Sequence, residues 1–403
     1  MFTIKDAIHD HIDVSGVAAD LLDTPIVQRL RRVRQLGTAS LVYPSANHSR
    51  FEHSLGVYYL ADEVAKHLDL DENHAECLRA AAILHDTGHG PFSHVTEPVF
   101  ERHLGKDHDD IYNLLSNSQA REILENHGIN FEYISELVGG NEKYGQLIAG
   151  DLDVDRMDYL ARDAHHTGVP YGTIDHEQLI RSLTFIDSQL VIKEGNIQVA
   201  ENVLTARALM DPTVYHHHTA RIAELMLLRA TERLIKANEL APKDLRRIDD
   251  YDLITTLRSH PETSKMATRL DNRNLFKRAV WLETDAIPES LRGFSYQEII
   301  QFEREIAQAA GINPETVLID IPHKMGLPES ETQIEKNGEV TLLREQSQII
   351  GALEGAVKNQ RRLGIYTEES SISAVREVAD DILDIKINGR YVKEREGDSN
   401  SLV

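Results

Sequence analysis

Twenty histidines stand in the chain, and the most reactive pattern places several of them beside carboxylates. His85 and Asp86 are adjacent, and His89 and His94 follow in the run His-Asp-Thr-Gly-His-Gly-Pro-Phe-Ser-His. Imidazole and carboxylate are ordinary ligands for Zn, Mn, Fe and Mg-class ions. A lone His-Asp pair is commonplace on a surface, so the company it keeps matters. His53 lies upstream in Arg50-Phe51-Glu52-His53-Ser54-Leu55-Gly56. Downstream, Asp151, Asp153, Asp155 and Asp158 interleave with Leu152, Val154, Met157 and Tyr159. Acids on a segment that is apolar at helical spacing cannot all be solvated. A metal or a basic partner would offset their desolvation. Phosphate chemistry would also need fixed cationic donors, and the planar fork of Arg suits paired oxygens. Arg50 and Arg156 sit inside these same motifs. Arg207 precedes Tyr215 by eight residues, so both can face one side of a helix that Pro212 is able to kink. In the run His216-His217-His218 successive residues point to different faces, so the three cannot all serve one site. Tyr159 and Asp163 are four apart, on one face.

Such side chains need elements to hold them. Residues 54–68 carry Leu55, Tyr58, Tyr59, Val64, Ala65 and Leu68 at helical spacing, and 74–84 carry Leu78, Ala81, Ala82 and Leu84. The second of these helices runs into His85 and is broken by Gly88, Gly90 and Pro91. Helical patterns continue over 110–127, 131–138, 143–164, 176–184 and 198–240. Pro25, after Asp23 and Thr24, reads as a first-turn residue. Residues 1–16 alternate as a short strand pair, and a hairpin is expected near Phe185–Val199, turning at Gly195-Asn196. Beyond about residue 272 the pattern changes. Strands are expected at Leu275–Glu283 and Val317–Ile321, and a hairpin at Asn337-Gly338 between Thr332–Glu335 and Val340–Leu343. Helices are expected at 296–310, 346–360 and 369–382. The reading is a mainly α protein: a helical domain over 1–271, a smaller α+β lobe over 272–394 and a polar, disordered tail over 395–403.

Bulk properties narrow the function. With 403 residues the chain is long enough for a large domain and a smaller one. Its 43 Lys and Arg against 66 Asp and Glu give a net charge of −23, a surface that repels polyanions. Nucleic acid is therefore not the expected partner, and a phosphate-bearing substrate would need a concentrated basic pocket. The single cysteine, Cys77, excludes an internal disulfide. No apolar run is long enough to span a membrane, and the first residues do not read as a signal peptide. A cytoplasmic location is expected.

The order His … His-Asp … Asp resembles the signature of the HD superfamily. The longer strings Arg50-Phe-Glu-His-Ser-Leu-Gly-Val, His85-Asp-Thr-Gly-His-Gly-Pro-Phe-Ser-His94 and Asp153-Val-Asp-Arg-Met-Asp-Tyr-Leu-Ala-Arg-Asp163 resemble its dNTP triphosphohydrolase branch. The likeness runs from Ile8-His9-Asp10-His11 to about residue 392. It implies an HD helical core and a divalent metal (Mn, Fe, Zn or Mg) held by His53, His85, Asp86 and Asp155. It implies that His89 and His94 line a phosphate pocket and that His108 is another active-site histidine. His94 would be the general acid that protonates the leaving oxygen, with Glu97 beside it where the family carries Asp. Arg50, Arg156 and Arg207 would neutralise the triphosphate. Tyr159 would pack on the sugar, Asp163 would accept from its 3′-hydroxyl, and Tyr215 and His217 would be further phosphate and substrate residues. Gln35 and Leu36 would lie near the sugar and base.

The resemblance also implies a guanine-nucleotide activator read by Asp23 and Arg31, with Val42 and Tyr43 near its sugar. Gln178 and Gly195 stand where the human member of the branch has cations, whereas Lys193 keeps one. The implied reaction is hydrolysis of a dNTP to deoxynucleoside and triphosphate, by attack of water on the α-phosphorus at the metal. The implied assembly is a homo-oligomer, a tetramer built from dimers. Two other readings stay open: an HD phosphohydrolase acting on another nucleotide, and a nucleotide- or oligonucleotide-binding regulator without turnover.

Overall fold

Ser49 and Glu52 set the start of the helix that carries His53. The Ser49 hydroxyl accepts from the Glu52 N–H, and the Glu52 carboxylate accepts from the Ser49 N–H, a capping box that satisfies two otherwise orphaned donors. This helix, Arg50–His67, packs against Glu72–Leu84 and Val154–Thr167. The computed structural model describes residues 1–283, 293–321, 331–358, 362–383 and 385. The tail expected over 395–403 lies outside them. Among the described residues helices dominate, as expected, and the sheets are small.

The strand pair expected near the N-terminus is an antiparallel hairpin, Phe2–Asp6 with Asp10–Val14. The second hairpin is Leu183–Ile186 with Gln189–Ile192, and it turns at Asp187-Ser188 rather than at the expected Gly195-Asn196. Both turn residues have positive φ, 47° and 67°, the backbone of a two-residue hairpin turn that Asp tolerates. Gly195 and Asn196 instead lead into the helix Ile197–Met210. At Asn337-Gly338 the expected hairpin forms between Gln333–Lys336 and Glu339–Leu342. A third sheet has Arg362–Thr367 between Lys277–Glu283 and Leu318–Asp320, all antiparallel. The helices Tyr296–Ala309 and Ile372–Leu383 share its apolar core.

Three long helical readings are interrupted. Region 110–127 divides into Tyr112–Leu115 and Gln119–Asn126, because Ser118 adopts an extended conformation as the second helix's N-cap. Region 143–164 is regular α-helix only from Val154, where Asp153 caps the start. Region 198–240 breaks after Met210. Pro212 has no N–H to continue the ladder, and Asp211–Tyr215 widens into a π-turn closed by the His216 N–H on the Asp211 carbonyl, before the helix His218–Lys236 begins.

Packing crosses the expected boundary at 271/272. Ile334, Leu343 and Ile350 belong to the same core as the helices around His53, and Ile192 pairs in parallel with Ile334. Leu275, Phe276, Leu318 and Tyr366 share a second core with the helix His218–Lys236. The C-terminal segments therefore brace the helical region at two places.

Candidate active site

His53 lies in the helix Arg50–His67, His85 and Asp86 in a tight turn at the end of Glu72–Leu84, and Asp155 in the first turn of Val154–Thr167. His53, His85 and Asp86 present ligand atoms within 4.8 Å of one another. The Nε2 atoms of His53 and His85 are 3.3 Å apart, and Asp155 Oδ1 is 2.8 Å from the first and 3.9 Å from the second. His85 Nδ1 lies 2.8 Å from the Ala82 carbonyl, so it donates there and leaves Nε2 as a lone pair. His53 Nδ1 is 2.7 Å from Asp158. Two imidazole nitrogens turned toward each other beside two carboxylates need a positive charge between them. Burial works against a charged His53, but hydrogen bonds to Asp155 and Asp158, with the charge of Asp86, push it up to about 10. Burial would raise Asp86, yet Arg50, His85 and His53 hold it below the usual carboxylate range. Its Oδ2 is buried with no hydrogen-bond partner. Two imidazoles and two carboxylates, one with an orphaned oxygen, fit a divalent cation.

Beside this cluster stand His89, His94, Glu97 and His108. The Glu97 carboxylate joins them: one oxygen meets His94 Nδ1 at 2.6 Å, and the other meets the His108 backbone N–H at 3.1 Å and its Nδ1. His89 is buried and stacks on His108 with ring centroids 4.0 Å apart. Its burial, and then the nearby cation of Arg50, hold it well below an ordinary histidine, so it is neutral. His108 is the opposite case. Burial disfavours its charge, but the hydrogen bond to Glu97 and the charges of Asp109 and Glu97 lift it to about 9. The turn is tight for a reason. A Cβ on Gly88 would lie 1.9 Å from the His108 carbonyl. Phe92 and Ser93 both take left-handed φ, 56° and 58°. They are held there by Asp250, which accepts from the Phe92 N–H at 2.6 Å, and by Arg50, whose Nε donates to Ser93 Oγ at 2.6 Å.

Arg50 also donates from Nη1 to Asp86 at 2.6 Å, so one guanidinium connects the candidate metal cluster to the histidine turn. A pocket of about 270 Å³ opens over both clusters, lined among others by Gln35, Arg50, Asp109, Arg156 and Tyr159. The Tyr159 hydroxyl accepts from Arg156 Nε at 3.3 Å and from Arg207 Nη1. Tyr215 donates to Asp163 Oδ2 at 2.9 Å, and His48 Nε2 meets the other oxygen at 2.9 Å. Leu36 packs half-buried against the helical core. His217 stands farther out: it caps the helix His218–Lys236, accepts from the Thr219 N–H and lies 6.0 Å from the Tyr43 ring.

The other residues matched to an activator site are apart from this pocket. Asp23 is exposed at the end of the helix Gly16–Leu22, and the helix start beside it uses Thr24 as N-cap with Pro25 in the first turn. Arg31 is exposed, with its guanidinium 3.6 Å over Phe51 and its Nε on Gln28. Val42 is half-buried, and Tyr43 donates to the Thr213 carbonyl. Gln178 bonds Asn196, and Lys193 bonds the Arg181 carbonyl.

Sequence reasoning gave His48 and Asp109 no role, and it read Asp153 and Asp158 only as acids in need of a cationic partner. Asp158 was legible, since it falls three residues after Asp155 on one helix face. His48 and Asp109 carried no local signal, because they reach the site only through the fold. Asp153 is pushed up to about 7, first by burial and despite the Arg156 charge.

Residues 50–163 match the HD domain, and residues 174–394 match the HD associated region. An uncharacterized protein of Methanocaldococcus jannaschii is 33% identical over 97% of this chain and 86% of its own length. The deoxynucleoside triphosphate triphosphohydrolase SAMHD1 homolog of Dictyostelium discoideum is 30% identical over 68% of this chain, which spans 59% of that protein. Among solved structures, a phosphohydrolase from Bacteroides thetaiotaomicron has a TM-score of 0.72 at 29% identity, covering 92% of this chain and 100% of its own.

Proposed function

We propose, from the premise that this chain belongs to the HD-domain family, that it is a metal-dependent phosphohydrolase which cleaves deoxynucleoside triphosphates to deoxynucleoside and triphosphate. The observation that carries this reading is the facing pair of Nε2 atoms of His53 and His85, 3.3 Å apart between Asp86 and Asp155, beside a pocket lined by His85, both of these acids, Arg50 and Arg156. A divalent cation held by those four residues would polarise a phosphoryl oxygen and activate water.

The chain's own groups supply the rest. Arg50, Arg156 and Arg207 hold and neutralise the phosphates. His94, oriented through Nδ1 by Glu97, delivers a proton from its other nitrogen to the 5′-oxygen as the bond to the α-phosphorus breaks. Neutral His89 and charged His108 flank the same phosphates. Asp163, already set by His48 and Tyr215, accepts from the 3′-hydroxyl, and the Tyr159 ring leaves no room for a 2′-hydroxyl. Asp23 and Arg31 read a guanine nucleotide at a separate site, and Val42 and Tyr43 adjoin it in a homo-oligomer. The name of the Dictyostelium relative supports the triphosphate-releasing reaction.

The test is a screen of the four dNTPs and four NTPs with Mn, Mg, Fe and Zn, with products separated by chromatography. Deoxynucleoside plus triphosphate is the expected pair. Monophosphate plus pyrophosphate would favour an HD phosphohydrolase of another specificity, and tight nucleotide binding without turnover would favour a regulator.

A further inference from the structure

Asp158 is a carboxylate that the proposed chemistry leaves unused, and it is among the most enclosed in the molecule. Its side chain is wholly buried. Four donors surround it: His53 Nδ1 at 2.7 Å, His9 Nε2 at 2.7 Å, and Arg162 Nε and Nη2 at 2.8 and 3.0 Å. Arg162 is equally buried and is gripped from its far side by Asp6, at 2.9 Å from Nη1 and 3.2 Å from Nη2. Asp6 in turn accepts the backbone N–H groups of Ile8 and His9 at 2.9 Å each, in the turn of the first hairpin. His9 stacks on Tyr59 of the His53 helix, with centroids 4.8 Å apart.

Both Asp6 and His9 therefore come from the first ten residues, yet their hydrogen bonds converge on the imidazole of His53. A buried guanidinium shared by two carboxylates is more than packing of a sheet edge requires. Its geometry is directional: Arg162 uses one face of its fork on each acid, so moving Asp6 rotates the guanidinium and with it Asp158. Outer partners of this kind fix the tautomer and orientation of a ligating histidine.

We propose that the N-terminal hairpin is part of the metal-holding machinery, with Asp6 and His9 as positioning residues that act through Arg162 and Asp158 to aim Nε2 of His53. This inference rests on the metal-site reading above. It assigns to residues 1–14 a task in ligand geometry, distinct from any contact with substrate.

The test uses the full chain, stripped and reloaded with Co(II), in wild type and in Asp6→Asn, His9→Gln and Asp158→Asn. These replacements keep size and hydrogen-bonding capacity while removing charge or ring. Three quantities are read: Co(II) affinity by chelator competition, the Co(II) visible spectrum, and folding by circular dichroism. Asp158→Asn is expected to weaken Co(II) about 10–100-fold, and Asp6→Asn and His9→Gln about 10-fold or somewhat less, each with an altered spectrum. Asp6→Glu, which restores the charge, should recover much of the affinity. Folded Asp6→Asn and His9→Gln proteins with wild-type affinity and spectrum would overturn the inference alone. A wild-type protein that takes up no Co(II) would overturn the metal-site reading together with it. Should Asp6→Asn fail to fold, His9→Gln carries the same decision.

Discussion

Replacing Gly56 by alanine is a severe test of the packing behind the site. In an ordinary helix interior this change stabilises by about 1 kcal/mol, because alanine loses less backbone freedom. Here a Cβ would lie 1.8 Å from Asp158 Oδ1, 2.5 Å from its Cγ and 2.6 Å from Arg162 Nη2, against a closest real approach of 3.0 Å. The helices Arg50–His67 and Val154–Thr167 must then separate by roughly 1 Å, or Asp158 must swing away. Overpacking of this kind costs about 1–3 kcal/mol. Disturbing the buried Asp158–Arg162–Asp6 set adds a share of the roughly 3–5 kcal/mol that breaking a buried ion pair costs. Less the helical gain, the expected net loss is about 2–4 kcal/mol, or roughly 2–5 °C in the thermal midpoint of a chain this long. Since His53 depends on Asp158 for its orientation, metal uptake should fall as well. The assay is a thermal melt followed by circular dichroism, with metal content measured on the same sample. A Gly56→Ala protein as stable as wild type, with a full complement of metal, would refute both the packing argument and its link to the site.

Three further outcomes are expected. Arg207→Ala should raise KM about 10–100-fold, the worth of a charge-assisted hydrogen bond, while metal content stays unchanged; a loss of metal with unaltered KM would remove Arg207 from the substrate wall. His108, lifted to about 9, adds stability that is fully present below its unfolded value of about 6.5 and is lost as pH rises through 9. The midpoint difference between wild type and His108→Gln should therefore shrink between about pH 6.5 and pH 9, and a gap that widens instead would contradict the Glu97 pairing. Hydrolysis of dATP should rise on adding GTP or dGTP, with a larger sedimenting species, and Asp23→Asn should abolish the rise; full activity and an unchanged oligomer without guanine nucleotide would leave Asp23 and Arg31 with a structural role only.

The candidate metal cluster was legible because its residues sit in contiguous motifs, and the sharp turn after His85 was legible from Gly88, Gly90 and Pro91. Local sequence could not supply Asp6, His9 and Arg162 as a group, since their meeting at Asp158 joins residues about 150 positions apart. The hairpin at Asp187-Ser188 was misplaced because Gly195 advertised positive φ more loudly, while Asp and Ser adopt it only when strand pairing requires it. Periodicity alone read 198–240 as one helix. Pro212 marked the trouble but not its form, a π-turn that re-aims Tyr215 toward Asp163. The change in pattern near residue 272 was real, yet the return of Gln333–Lys336 to pair with Gln189–Ile192 is a long-range event that no local window contains.

The central claim is that His53, His85, Asp86 and Asp155 hold a metal on which phosphohydrolysis depends. Its most direct measurement is metal content by mass spectrometry together with dNTP turnover, on wild type and Asp155→Ala after stripping and reloading with Mn(II). Asp155 supplies both a ligand oxygen and a negative charge beside two imidazoles, so its loss leaves the cation short of both. Wild type should retain stoichiometric metal and release triphosphate, and Asp155→Ala should retain neither metal nor activity. Stoichiometric metal and normal turnover in Asp155→Ala would contradict the account.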